Sequence, residues 1–115
     1  METGLMGVNA FTPTGNTVVF TATTSPTSPV QAISNGLGAN QYRIVVPPGT
    51  NTVFLGFGIT SAIATNNAVV ITSSTFTLPL LPGTDEILTF LPNAYFTGIT
   101  NAGSTAVYIT PGDGV

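Results

Sequence analysis

Five residues of this 115-residue chain carry formal charge: the acids Glu2, Asp85, Glu86 and Asp113, and the base Arg43. Only Asp85 and Glu86 are adjacent. Paired carboxylates are the equipment of glycoside hydrolysis and, in larger groups, of calcium sites. Successive residues of a strand point to opposite faces, however, so these two cannot both turn to one ion or one glycosidic bond. The pair reads instead as turn residues at a strand entry, where Asp is favoured. Arg43 reads as the partner of Asp85 or Glu86 in a structural ion pair, or as a contact between subunits.

The missing residue types exclude more than the present ones suggest. The chain has no His, Cys, Lys or Trp. Without imidazole or thiol there is no zinc, haem or iron–sulfur ligation, no Ser-His-Asp or Cys-His catalysis and no disulfide framework. Without lysine there is neither pyridoxal chemistry nor a P-loop. A non-enzymatic protein without a cofactor is the expectation. A net charge of −3 with one cation gives no surface to neutralise phosphates, so nucleic acid is excluded as a partner.

Hydroxyls replace the missing charges. Threonine occurs 21 times, and Thr12-Pro-Thr14, Thr21-Ala-Thr23, Thr50-Asn-Thr52 and Thr75-Phe-Thr77 each place two hydroxyls on one strand face. Flat threonine arrays occur in ice-binding solenoids, but those need a fixed repeat, and these spacings are irregular. Alternating Thr is also the ordinary dress of a solvated strand. At 4% charged and 43% hydrophobic, the composition is far from that of a disordered chain. It leaves little electrostatic repulsion to hold copies apart. That favours assembly.

These side chains must be positioned by strands. Thr, Val and Ile favour the pleated sheet, and 13 Gly and nine Pro cut the chain into short pieces without a clean helical stripe. Strands are expected at 16–23, 30–34, 41–46, 52–59, 68–72, 75–80, 86–91, 94–100 and 104–110. In 41–46, Tyr42, Ile44 and Val46 share one face, with Gln41 and Arg43 on the other. In 52–59, Val53, Leu55, Phe57 and Ile59 oppose Phe54, Gly56 and Gly58, and the glycines mark a bulge or a close backbone approach. Leu88 and Phe90 oppose Ile87 and Leu91. Asn101-Ala-Gly103 reads as a three-residue hairpin loop. Eight or nine short strands at about ten-residue spacing indicate an all-β protein, a single antiparallel β-sandwich of jelly-roll or Ig-like type.

Residues 15–115 are assigned to the sandwich, and residues 1–14 stand apart as an N-terminal arm. Leu5, Met6, Val8 and Phe11 are apolar there without helical or strand period, and they are the candidate contacts to a neighbouring subunit. The acid at Glu2 and the interrupted apolar run argue against a secretory leader. No stretch approaches the roughly 20 apolar residues that span a bilayer, so no membrane partner is expected.

The last third, from Leu80-Leu-Pro-Gly-Thr-Asp-Glu-Ile-Leu-Thr-Phe-Leu through Val107-Tyr-Ile-Thr-Pro-Gly-Asp-Gly114, resembles small virion proteins of tailed bacteriophages. The shared style is a Pro-Gly turn, an acidic strand entry, a short apolar stretch with an aromatic, a Gly turn and a closing Val-Tyr-x-Thr strand. Gln41-Tyr-Arg-Ile-Val-Val46 and Thr52-Val-Phe-Leu-Gly-Phe-Gly58 fit the same style. The resemblance covers residues 40–114 and implies a capsid decoration or cement protein on the outer surface of the virion. Its implied partners are the major capsid protein lattice and further copies of itself, most often as a homotrimer. A head-fibre or tail component is the alternative within that class. A carbohydrate-binding sandwich with Tyr42, Tyr95, Phe96 and Tyr108 as its aromatic platform is the alternative outside it.

Overall fold

β-Branched residues between Pro- and Gly-rich turns build a strand-dominated protein. A computed structural model describes residues 11–34, 40–71 and 77–114. In chain order the elements are β1 (Thr12–Pro13), β2 (Val18–Ala22), β3 (Val30–Gln31), β4 (Gln41–Val45), β5 (Val53–Gly58), α1 (Ser61–Asn67), β6 (Leu78–Leu80), β7 (Asp85–Thr89), β8 (Tyr95–Ile99) and β9 (Thr105–Asp113). One sheet runs β1-β9-β4-β7, with β2 also pairing β9 along its first half; the other runs β3-β8-β5-β6. Every strand pair is antiparallel.

From β2 onward the chain changes sheet at every step except β5 to β6. That interleaving gives two four-membered layers, β2-β9-β4-β7 against β3-β8-β5-β6, which is the order of a jelly roll and not of an Ig-like sandwich. The two layers meet over Phe20, Tyr42, Ile44, Val46, Val53, Leu55, Leu80, Phe96, Val107 and Ile109, all buried. Burying one such large side chain stabilises the fold by about 1.5–3 kcal/mol, so this alternation decides the architecture.

Three turns that carry the chain between elements share one chemistry. In Leu81-Pro-Gly-Thr84 the Thr84 amide donates to the Leu81 carbonyl at 3.1 Å, and Gly83 sits at φ 84°. Leu91-Pro-Asn-Ala94 has Asn93 at φ 53° in the corresponding place. Proline presets the first central position and a residue tolerant of positive φ fills the second. Pro47-Pro-Gly-Thr50 repeats the pattern, and Thr50 and Thr84 each donate their hydroxyl back to the first carbonyl of the turn, at 2.7 and 2.6 Å.

Three local expectations need correction. The segment 101–103 is not a hairpin loop, because β8 and β9 belong to different sheets and the loop crosses between them. Residues 68–71 form no strand, and a helix precedes them at α1. Thr60 starts it: its backbone is extended and its hydroxyl accepts the Ile63 N–H at 3.2 Å, an N-cap that a composition rich in β-formers concealed. The third concerns the arm, whose last described part joins the sheet. Thr12 and Pro13 lie opposite Asp113 and Gly112, and the Thr14 amide donates to the Pro111 carbonyl at 2.9 Å.

Candidate functional site

A cleft of about 510 Å³ opens at one end of the sandwich. Phe57, Gly58 and Ile59 supply one wall from the end of β5, Ile63 and Asn67 come from α1, and Thr89, Phe90 and Leu91 come from the end of β7, with Ala94 nearby. Its rim holds large apolar side chains in water: Ile59 is 57% exposed, Leu91 54% and Ile63 41%. The floor is the outer end of an aromatic chain. Tyr42 and Phe96 meet edge to face at 5.0 Å in the core, Phe96 meets Phe90 at 5.5 Å, and Phe90 meets Phe57 at 4.5 Å. Core packing thus continues into an open apolar groove, a candidate contact surface.

Hydrogen bonds fix the groove walls. The Asn67 side-chain amide donates to the Phe57 carbonyl at 3.1 Å, tying the helix to the end of β5. The Tyr42 hydroxyl donates to the Leu91 carbonyl at 2.6 Å and accepts the Ala94 amide at 3.1 Å, tying the β7–β8 turn to β4. Burial pushes the Tyr42 phenol above its ordinary value, partly offset by backbone contacts with Ala94 and Asn93. The hydroxyl is structural.

The outer face of the β2-β9-β4-β7 sheet is a second open surface. Val19 lies opposite Tyr108 and Tyr108 opposite Val45, while Arg43 lies between Thr110 and Ile87. Val19, Tyr108 and Ile87 are all exposed. The Thr17 and Thr110 hydroxyls bond at 2.6 Å, and Arg43 grips Asp85 through two bonds of 2.9 and 2.8 Å. Those hydrogen bonds hold the Asp85 carboxyl below its ordinary value. Tyrosine and arginine are among the side chains enriched at protein interfaces.

The sequence-selected residues fare unequally. Arg43 pairs with Asp85, while Glu86 is exposed beside it and Asp113 accepts the Gly114 amide at 2.8 Å. Among the described residues no three acids gather into a metal-binding group, and no helix is long and apolar enough to cross a membrane. Tyr42 and Phe96 are core residues and Tyr108 lies on the outer sheet face, so the four rings named as a sugar platform do not share a surface. Phe11 stands against Gly112, where any added side chain would collide with its ring. Leu5, Met6 and Val8 lie outside the described residues. The groove itself was missed, because Ile63 and Leu91 are distant in sequence and meet only through α1 and the β7–β8 turn. Comparison of the chain with family models, with curated proteins and with solved structures finds no match.

Proposed function

We propose that this chain is a non-enzymatic structural protein of a virion, a decoration or cement subunit that binds the outer capsid surface and self-associates as a trimer. The observation that carries the reading is the strand order, a jelly roll built from a nearly charge-free sequence. Jelly rolls serve as viral capsid domains, lectins and cupins. A sugar site of the expected kind needs stacked aromatic faces, and two of the candidate rings are buried. A metal-dependent enzyme needs ligands that a chain without His or Cys is poorly equipped to provide.

The reading also gives a use to the two open surfaces. Neutral Thr faces form wet, hydrogen-bonded contacts, and the groove offers an apolar anchor. Repetition over a lattice multiplies weak contacts by avidity. Binding the assembled shell in preference to free subunits stabilises the shell by mass action. The test is co-sedimentation of the purified chain with assembled heads of its parent phage, with isolated tails as a separate arm. Saturable binding to heads is expected. Binding to tails alone would move the protein to a tail component, and binding to neither would overturn the reading.

A further inference from the structure

We propose that the apolar groove between β5, α1 and β7 receives residues 1–10 of a second copy of this chain, seated by Leu5, Met6 and Val8. The inference rests on the self-association in the reading above and names the contact that produces it.

The first support is the level at which the segment leaves the sheet. Pro13 lies opposite Gly112, Gly112 opposite Gln41, and Gln41 opposite Thr89, so all four occupy one row across the sheet. Thr89 lines the groove. The chain therefore departs from β1 at the height of the groove. Phe11 remains on its own subunit against Gly112 and fixes the point of departure.

The second support is the side. β1 and β7 are opposite margins of this sheet, three strand spacings apart, or about 14 Å. Within one copy the segment would have to cross the ends of β9 and β4 to reach the groove. Two copies set side by side, the β1 margin of one against the β7 margin of the next, bring exit and groove together directly. Equal height means that rotation about an axis along the strands repeats the contact. Donor and acceptor surfaces differ, so the contact is head-to-tail, and a threefold rotation closes it into the ring a trimer requires.

Reach and chemistry complete the case. Six residues from Phe11 back to Leu5 extend to roughly 20 Å, enough to pass a neighbouring strand margin. Leu5, Met6 and Val8 match the rim of Ile59, Ile63 and Leu91, and both sides gain by leaving water.

The absence of cysteine makes a direct test available. Full-length Met6→Cys and Leu91→Cys chains, one carrying a mass tag, are mixed and mildly oxidised with diamide. Leu91 is exposed, so its replacement leaves the core intact. The expected product is a mixed disulfide between the two chains, falling at least about tenfold when Leu5→Ser and Val8→Ser are added to the Met6→Cys partner. A Tyr108→Cys chain replaces Leu91→Cys as the control for random collision. A yield no greater than that control overturns the proposal. So does a Met6→Cys/Leu91→Cys chain that closes on itself at dilution and gives no interchain product. A chain that sediments with phage heads but forms no mixed disulfide fails here alone. One that forms the disulfide but ignores heads fails only the virion reading.

Discussion

The two sheets share a core yet treat their outer faces differently. The far face of β3-β8-β5-β6 is covered: α1 lies against β5 so closely that a side chain at Gly56 would strike the Ala64 carbonyl and the Ala68 amide. Thr97 of β8 is fully buried there, its hydroxyl donating to the Thr27 carbonyl at 2.8 Å. Among the described residues nothing covers the far face of β2-β9-β4-β7, where Val19, Arg43, Ile87 and Tyr108 are exposed. One sheet is covered by its own chain. The other presents exposed side chains, and the groove opens where the cover on the first sheet ends.

A side chain placed under the cover should have the largest effect on stability. Gly56→Val should cost about 3 kcal/mol or more, because backbone atoms of α1 must move. Thr21→Val on the other sheet should stay within about 0.5 kcal/mol. Urea unfolding of the two variants measures the contrast, and equal costs would mean that the helix cover is not part of the folded structure.

Inside and outside can be compared on a single strand, at Tyr42 and Arg43. Tyr42→Phe removes the acceptor of the Ala94 amide and the donor to Leu91, for an expected loss of about 1–3 kcal/mol. The tyrosine also carries a pH signature. Its folded-state value lies above the ordinary 10.0, so its stabilising contribution is complete below that pH and is lost as pH rises through the raised value. Alkaline titration of stability should therefore be flatter in Tyr42→Phe.

The cover can also be loosened at its start. Thr60→Ala removes the N-cap of α1 and should cost about 1 kcal/mol, seen first as faster amide exchange in Ser61–Asn67.

Smallest of all is the effect of the exposed ion pair. Asp85 has a depressed value, so what it contributes is present above its ordinary 3.8 and lost as pH falls through the lowered one. Because both partners are solvated, Arg43→Gln should leave the unfolding midpoint at pH 7 almost unchanged. A measurable loss there would show that this face is less open than it looks.

Strand alternation was legible wherever one face is buried and the other wet. Tyr42, Ile44 and Val46 against Gln41 and Arg43 could be read directly, as could Leu88 and Phe90 against Ile87 and Leu91. Gly56 and Gly58 announced a close approach but not what approaches, since seven helical residues at 61–67 are too few to show a period. The Asn101–Gly103 loop looked like a hairpin because local turn chemistry does not say which sheet the next strand will join. The groove was illegible for the same reason: its residues converge only once α1 is placed against β5 and the β7–β8 turn is tied down by Tyr42.

The most direct test of an assembling subunit with one covered and one exposed face is the native mass of the full chain at micromolar concentration. Three times the 11.7 kDa of one chain is the predicted result, falling to one chain when Leu5, Met6 and Val8 are all replaced by serine. A mass of 11.7 kDa for the unaltered chain across that concentration range would contradict the account.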